Sequence, residues 1–186
     1  MKRHEVEHII RASGAITNEY EFVIVGSQSI LGQFPDAPDI FLISREADIY
    51  PLKNPEKFDL IDGAIGENSR FDKHYGYYAQ GVGPETAVLP KDWEERLIRI
   101  QNENTGGFIG FCLEVHDLAV SKLVANRPKD IDFIKALFEH QMITESVLQE
   151  RIKQLDISAV QQQNILEKIA GLSFQNNHDK KLSSGF

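Results

Sequence analysis

The chain has 186 residues, which is the length of one domain or of a domain with a small helical extension. Its 41% hydrophobic content allows an ordinary core, and its net charge of −8 argues against general, charge-driven binding of nucleic acid. The single cysteine, Cys112, excludes an intramolecular disulfide and a cysteine-based zinc site.

Residues 1–10 lack the apolar core of a signal peptide, and no apolar run approaches the roughly 18 residues that a membrane span needs. We therefore expect no membrane partner. A lone thiol that stays reduced and buried is typical of cytosolic proteins, so a cytoplasmic location is predicted.

Hydrophobic periodicity and turn residues predict helices and short strands in the first half of the chain. In chain order these are a helix over residues 5–13 ended by Gly14, a buried strand over 22–25, a helix beginning at 28–31, a loop over 32–39, a strand over 47–50, a helix over 55–65, a stretch rich in glycine and tyrosine over 66–83, and a strand over 87–89. Pro51 and Pro90 end two of the strands.

The second half begins with two strands and continues only with helices. Its elements are strands over 97–101 and 108–115 joined by a turn over 102–107, a helix from a capping Asp117 to about Ala125, a helix over 129–140 that starts at Pro128, and helices over 144–153 and 158–170. The two strands are expected to form an antiparallel hairpin. This order favours an α+β fold with a C-terminal helical segment.

A Gly-Ser turn and a pair of acids are the chemically promising residues of the first half. Gly26 and Ser27 follow a buried strand, where backbone N–H groups and a hydroxyl can bind phosphate. Glu46 and Asp48 alternate along a strand, so both point to one face and can share a hard cation such as Mg²⁺. The alternatives are a structural turn that needs glycine for a positive φ, and a solvated strand face. Together the two motifs suggest metal-assisted nucleotidyl transfer.

Residues 117–130 contain a second group of charged side chains. Lys122, Arg127 and Lys129 could contact phosphates, and Asp130 could orient a base or an attacking group. The alternative is a capped surface helix with ordinary charges.

The stretch over residues 66–83 places Tyr75, Tyr77 and Tyr78 among glycines. Tyrosine rings can stack on a base or ribose and form hydrogen bonds through the hydroxyl. The alternative is a packed loop that closes the core.

The order of these motifs resembles that of the DNA polymerase β-like nucleotidyltransferase superfamily. It looks most like the bacterial branch that holds the minimal nucleotidyltransferases and the abortive-infection toxin nucleotidyltransferases. The likeness is carried by Gly26-Ser27, Glu46-x-Asp48, Lys122-Leu123 and Arg127-Pro128-Lys129-Asp130. Longer phrases at residues 25–32, 63–67, 75–78 and 88–93 are similar to one bacterial family of that branch. The resemblance covers roughly residues 5–140.

The resemblance implies a small mixed sheet with helices on one face. We expect a nucleotidyltransferase-like domain over residues 1–140, a C-terminal helical extension over 141–175 and, because residues 176–186 are polar, a flexible tail there. Gly26 and Ser27 match the turn that holds phosphates.

The remaining site residues are also assigned by the resemblance. Glu46 and Asp48 match the catalytic pair that binds the metal, Mg²⁺ or Mn²⁺. Lys122 and Asp130 match the later catalytic lysine and aspartate of toxin-type enzymes. From their positive charges, Lys122 and Arg127 are also expected to bind nucleotide.

The sequence departs from the family pattern in two respects. The first acid is Glu46 where aspartate is usual, and the gap from the Gly-Ser turn is longer than usual. A third metal carboxylate is expected at Glu114, on the strand before Asp117. The alternative for Glu114 is a plain edge-strand acid.

Three interpretations follow. In the first, an enzyme moves a nucleoside monophosphate from a nucleoside triphosphate to a hydroxyl of RNA, protein or a small molecule, as a toxin–antitoxin or phage-defence component. In the second, a catalytically weak or inactive nucleotidyltransferase fold binds an antitoxin or a second copy of itself through its C-terminal helices. The glutamate at position 46, the lack of an obvious third metal-binding acid and the negative net charge favour this second interpretation. The third is an antibiotic-type nucleotidyltransferase that acts on small molecules.

Overall fold

A computed structural model describes residues 1–183, with the side chains of residues 1–173. The chain divides into two compact units. The first contains Met1–Ala87 and Glu94–Glu114, and the second contains Val88–Trp93 and Val115–Phe186. The predicted domain boundary near residue 140 stays a prediction.

The first unit consists of a mixed β-sheet and the helices packed on it. Its helices are α1 (Arg3–Thr17), α2 (Ile30–Gln33), α3 (Phe58–Ile65) and α4 (Arg70–Tyr75), and its strands are β1 (Glu21–Val25), β2 (Glu46–Pro51), β3 (Tyr78–Gly81), β4 (Ile98–Ile100) and β5 (Ile109–Cys112). The five-stranded sheet has the order β3-β2-β1-β5-β4. β1 is antiparallel to β2 and parallel to β5, β2 and β3 are parallel, and β4 and β5 form the predicted antiparallel hairpin. The predicted α+β fold is confirmed.

The central strands of this sheet form the core of the first unit. Four consecutive residues of β1, from Phe22 to Val25, are buried, as expected for a strand with both faces covered. Cys112, at the end of β5, is fully buried, which confirms the prediction that it is a core residue. Burial raises the pKa of its thiol to about 12, so the thiol stays protonated at neutral pH.

The prediction that Gly14 ends the first helix is wrong, because α1 continues to Thr17. The ring of Phe108 lies against Gly14, and a β-carbon built at Gly14 would be 2.4 Å from Cδ1 of that ring. Glycine at this position therefore serves close packing. The helix ends instead at Asn18, whose positive φ of 57° is typical of a helix C-cap.

The strand predicted over residues 87–89 is also wrong. The structure describes all three residues and places none of them in a strand, although Ala87 is extended with φ −117° and ψ 124°. A 3-10 turn over Pro84–Thr86 precedes them and Pro90, which has no N–H to donate, follows.

The second unit is helical. Its helices are α5 (Val115–Ala125), α6 (Pro128–Glu139), α7 (Glu145–Lys153) and α8 (Ala159–Ser183). Buried apolar residues on the facing sides of these helices, among them Leu118, Ile134 and Leu148, form its core. α8 continues beyond its predicted end at residue 170, and residues 184–186 of the predicted tail lie outside the described residues.

Asp117 does not cap α5, because the helix begins two residues earlier at Val115. Asp117 is instead buried in the first turn, and its Oδ1 lies 3.4 Å from Nε of Arg151 on α7. None of the helices described over residues 1–183 is long and apolar enough to cross a membrane.

Candidate functional site

The sheet register of the first unit brings the Gly-Ser turn and the acidic pair to the same edge. β1 ends at Val25, which pairs with Asp48 on the antiparallel neighbour β2. Glu46 lies two residues before Asp48, at the start of β2, about 6.5–7 Å away along the strand. Both acids are partly exposed, whereas Ala47 between them is buried. The prediction that the two carboxylates share one face is confirmed.

Gly26 is in contact with the carboxylate of Asp48. A β-carbon built at Gly26 would be 1.8 Å from Oδ2 of Asp48, so only glycine leaves room for the carboxylate in this position. The backbone of Gly26, with φ 67° and ψ −170°, occupies a region that is nearly restricted to glycine. Both the space and the backbone conformation therefore require glycine, and the turn and the acid form one local structure.

The turn after Gly26 is held in place by hydrogen bonds. The carbonyl oxygen of Gly26 accepts from the backbone N–H of Ser29 at 3.2 Å and from its hydroxyl at 2.9 Å. Gln28, which is buried, donates from Nε2 to the carbonyl oxygen of Phe41 at 3.2 Å. Ser27, partly exposed, begins this single 3-10 turn. These hydrogen bonds give the turn, and with it the position of Ser27, a defined conformation.

Glu46 has a hydrogen-bond partner on the neighbouring strand. The hydroxyl of Tyr78 donates to Oε2 of Glu46 at 3.0 Å, and the two residues are direct partners in the parallel pairing of β2 and β3. Burial, together with this hydrogen bond, raises the pKa of Tyr78 to about 12. The phenol is therefore protonated at neutral pH and acts as the donor.

Glu114 lies at the same edge of the sheet. β5 runs parallel to β1, and the backbone N–H of Leu113 donates to the carbonyl oxygen of Ile24 at 3.4 Å, so the next residue lies near the end of β1. Glu114 is partly exposed. Among the described residues, no group of three or more His, Cys, Asp or Glu side chains is arranged to hold a metal ion. Glu114 as a third metal ligand stays a prediction.

The predicted residues of the second unit form a buried ion cluster around Asp130. Nζ of Lys122 lies 3.2 Å from Oδ1 of Asp130 and 4.5 Å from the centre of the Phe133 ring. Arg127 donates to Asp130 from Nε at 2.6 Å, from an Nη at 3.2 Å and from its backbone N–H at 3.3 Å. Lys122 is 6% exposed and Asp130 is fully buried.

The four hydrogen bonds occupy the acceptor sites that a carboxylate offers. Burial alone would raise the pKa of Asp130, but the hydrogen bonds from Arg127 and the charge of Lys122 outweigh it. The pKa of Asp130 is therefore below its usual value, and the group is an anion at neutral pH. Its geometry suits a side chain that positions Lys122 and Arg127 and caps α6 from the inside.

The structure thus brings together two sets of predicted residues, each within one unit. Gly26, Ser27, Glu46 and Asp48 meet at the sheet edge of the first unit, and Glu114 follows the strand that ends there. Lys122, Arg127 and Asp130 meet at the junction of α5 and α6 in the second. The catalytic, nucleotide-binding and metal-binding roles of these residues stay predictions.

Two tyrosines of the stretch over residues 66–83 pack against other rings. Nδ1 of His8 lies 2.7 Å from the hydroxyl of Tyr77, and the rings of Phe71 and Tyr75 lie 4.8 Å apart. Burial lowers the pKa of His8, so its ring is neutral at pH 7. For Tyr75 and Tyr77, the structure therefore agrees with the alternative interpretation, a packed loop that closes the core. Tyr78 differs, because its hydroxyl points to Glu46.

The link between Tyr78 and Glu46 was not foreseen from the sequence. The two residues are 32 positions apart, and their contact depends on the parallel pairing of β2 and β3. The sequence predicted no strand at residues 78–81. The residues around Tyr78 carry no local signal for this contact, because register sets the partner of a side chain across a sheet.

An α+β sheet with a Gly-Ser turn beside paired carboxylates is the arrangement that the resemblance to nucleotidyltransferases predicts. Residues 4–180 match a family described as "Nucleotidyltransferase of unknown function (DUF6036)", and the chain belongs to this family. Comparisons with curated proteins and with solved structures found no match. Membership of a nucleotidyltransferase family is therefore confirmed, whereas the polymerase β-like superfamily and its toxin-type branch stay predictions.

Proposed function

We propose that the protein is a metal-dependent nucleotidyltransferase that moves a nucleoside monophosphate from a nucleoside triphosphate to an acceptor hydroxyl. The observation that carries this proposal is the contact between Gly26 and the carboxylate of Asp48. It joins a turn suited to phosphate and an acidic pair suited to a cation in one local structure. The family description supports the same reaction class.

The donor set of Glu46 and Asp48 fits Mg²⁺ or Mn²⁺. Carboxylate oxygens are the ligands that these hard cations prefer, and Mg²⁺ is commonly held by one or two carboxylates together with substrate phosphates. Both acids are partly exposed, so a ligand can reach them. When bound, the cation would stabilise the negative charge of the phosphates and of the departing pyrophosphate.

The residues of the turn bind and orient the triphosphate in this proposal. The hydroxyl of Ser27 and the backbone N–H groups of the turn donate to phosphate oxygens. The acceptor hydroxyl oxygen then forms a bond to the α-phosphorus, and the bond from that phosphorus to the bridging oxygen breaks. Pyrophosphate leaves with the electron pair, and the hydroxyl proton is released to solvent.

Lys122 and Arg127 are proposed to bind nucleotide through its phosphates. The support is the geometry of their cluster, in which Asp130 holds both cations in defined positions. The side chain of Arg127 is 58% exposed, so its guanidinium can contact a ligand while it stays bonded to Asp130. We expect Arg127→Ala to weaken nucleotide binding several-fold in calorimetric titrations. Lys135→Ala, which removes an exposed charge from α6, the helix that Arg127 directly precedes, is the matched control.

The main experiment titrates the protein with each of the four nucleoside triphosphates and Mg²⁺ in a calorimeter, and measures pyrophosphate release with candidate acceptors. The double variant Glu46→Ala, Asp48→Ala should lose metal-dependent nucleotide binding. The matched control is Glu56→Ala, Asp59→Ala, which removes one glutamate and one aspartate that are exposed beyond the other end of β2. This control should bind as the wild type does. Wild-type protein that binds no nucleotide would contradict the proposal, and binding that survives the double variant would remove Glu46 and Asp48 from the site.

The acceptor is proposed to be RNA or protein, because the resemblance is to toxin-type enzymes, with a small molecule as the remaining class. The same resemblance supports a role in a toxin–antitoxin or phage-defence system, with an antitoxin or a second copy bound to the C-terminal helices. The reduced, buried Cys112 supports a cytoplasmic location. Incubation with labelled triphosphates and total RNA or protein from a bacterial extract, followed by gel separation, identifies the labelled class.

The alternative is an interaction protein that keeps the fold without the activity. The occupied acceptor sites of Asp130 favour it, because this carboxylate holds structure together and cannot accept a further proton without losing a bond. A protein that binds no nucleotide but forms a stable complex with itself or with the product of a neighbouring gene would support this alternative. Size-exclusion chromatography with light scattering measures the complex.

A further inference from the structure

Tyr78 holds Glu46 from the next strand of the sheet. Its hydroxyl donates to Oε2 at 3.0 Å, and its backbone N–H donates to the carbonyl oxygen of Arg45 at 2.9 Å. The side chain and the backbone of Tyr78 are thus both fixed relative to the segment that carries Glu46. Because Tyr78 and Glu46 are direct register partners, the hydroxyl cannot shift along the strand without breaking the pairing.

A glutamate needs such support more than an aspartate does. Its carboxylate is reached through three rotatable bonds, one more than in aspartate, and partly exposed glutamates lose that freedom when they bind a ligand. A hydrogen bond to Oε2 fixes the plane of the carboxylate before any ligand arrives. The donor is a neutral phenol, so the negative charge of Glu46 is oriented without being cancelled by a cation.

We infer that Tyr78 is a positioning residue, which orients the Glu46 carboxylate for the divalent cation at the edge of the sheet. The inference rests on the proposed function, since it assigns Tyr78 a task at the same site. Groups that hydrogen-bond to a metal-ligating side chain raise affinity by fixing its orientation, and their removal commonly weakens metal binding about 10–100-fold. Tyr78 is partly exposed, so the lower end of that range applies.

A neighbouring tyrosine provides a matched control. Tyr77 precedes Tyr78 directly, and its hydroxyl bonds to His8 instead of an acid. Tyr78→Phe and Tyr77→Phe each remove one hydroxyl from the same segment. Only the first removes a bond to Glu46, so a general effect of losing a hydroxyl in this segment would appear in both variants.

The experiment measures Mn²⁺ binding by electron paramagnetic resonance, with each of the four α,β-methylene nucleoside triphosphate analogues present. We expect the Mn²⁺ dissociation constant to rise about tenfold in Tyr78→Phe and to stay at the wild-type value in Tyr77→Phe. Equal binding by Tyr78→Phe and the wild type would overturn the inference and leave the proposed function intact. Wild-type protein without Mn²⁺ binding would overturn both.

A double-variant cycle separates positioning from a purely structural role. In a Glu46→Gln background the carboxylate that Tyr78 orients is gone, so Tyr78→Phe should cause no further loss of Mn²⁺ affinity. If the loss were the same in both backgrounds, Tyr78 would act through the fold and the inference would be wrong. Thermal unfolding of each variant shows that the compared proteins are folded.

Discussion

Two groups of carboxylates in this protein, both predicted to be functional, have opposite environments. Glu46 and Asp48 lie partly exposed at a sheet edge of the first unit, and no Lys or Arg side chain among the described residues forms an ion pair with Glu46. Asp130 in the second unit is fully buried and is bonded by Lys122 and Arg127. Glu46 is accessible to a cation from solution, whereas Asp130 already has two cationic partners.

The difference separates two uses of the same chemical group. A carboxylate that receives a ligand must stay reachable and keep its negative charge. A carboxylate that organises other side chains is better covered, because hydrogen bonds to charged groups are stronger away from water. We therefore interpret the acidic pair as the ligand-binding group and Asp130 as the support for Lys122 and Arg127.

The largest expected effect is the loss of stability when the buried cluster is broken. Asp130→Asn keeps the shape of the side chain but removes the negative charge that lies 3.2 Å from Nζ of the buried Lys122. Removing one partner of a buried ion pair costs about 3–5 kcal/mol. We expect a loss of about 3 kcal/mol in the free energy of unfolding, at the low end of that range because the exposed Arg127 can bond to water. Urea denaturation followed by circular dichroism measures it.

Asp132 provides the comparison for this variant. It lies on the same helix, its side chain is 76% exposed, and its ion pair with Lys135 spans 3.6 Å. Asp132→Asn should change the free energy of unfolding by less than about 0.5 kcal/mol. A similar small change in Asp130→Asn would mean that the buried cluster contributes little, and the contrast between the two groups of carboxylates would fail.

The next largest effect is expected at the contact between the turn and the acidic pair. Gly26→Ala must adopt a backbone region that is nearly restricted to glycine, which costs about 1–3 kcal/mol. The new methyl group also displaces Oδ2 of Asp48, which lies 1.8 Å from its position. We expect a loss of about 2 kcal/mol in stability together with loss of metal-dependent nucleotide binding, measured by denaturation and calorimetry.

Gly63 is the matched glycine. It lies within α3, and a β-carbon built there meets no atom within 4 Å. Gly63→Ala should stabilise the protein by about 0.5–1 kcal/mol, because alanine loses less backbone freedom than glycine on folding. Gly26→Ala with normal stability and normal nucleotide binding would show that the contact with Asp48 matters neither to the fold nor to the ligand.

Much of the fold could be predicted because its signals are local. The α6 helix starts at Pro128, as the preference of proline for the first helical turn predicts, and the hairpin of β4 and β5 follows from two apolar runs around a turn. The end of α1 could not be predicted at Gly14. Whether a glycine breaks a helix or admits a ring depends on Phe108, which is distant in sequence.

The candidate site could be predicted in part. The positions of residues within one strand followed from the sequence, but their partners on neighbouring strands did not. The alternation of Glu46 and Asp48 places both on one face wherever the strand lies. Their nearness to Gly26 depends on the antiparallel register of β1 and β2, and the hydrogen bond from Tyr78 depends on the pairing of β3, which the sequence did not show. Local periodicity describes one strand, whereas the partners of a side chain across a sheet are set by register.

A smaller effect is expected in the pH dependence of stability. The pKa of Asp130 is lower in the folded protein than its unfolded value of about 3.9, so its contribution is complete above that pH and is lost as the pH falls towards the folded pKa. The free energy of unfolding should therefore fall more steeply below about pH 4 in the wild type than in Asp130→Asn. Denaturation at a series of pH values measures the two slopes, and parallel slopes would contradict the assignment. Glu7, whose pKa is also lowered, is present in both proteins and cancels in the comparison.

The smallest effect is expected from neutralising the acidic pair. Glu46→Gln, Asp48→Asn removes two neighbouring negative charges from a partly exposed strand face, and we expect the free energy of unfolding to change by less than about 0.5 kcal/mol. The loss of the ionic character of the bond from Tyr78 is offset by relief of repulsion between two like charges.

Nucleotide binding with Mg²⁺ should be lost in the same variant, because amide oxygens are weaker ligands and carry no charge. We expect side chains that serve to bind a ligand to contribute little to stability, because selection for function, and not for stability, determines their positions. A loss of stability close to that of Asp130→Asn would instead identify the pair as structural, and the two groups of carboxylates would then serve the same purpose.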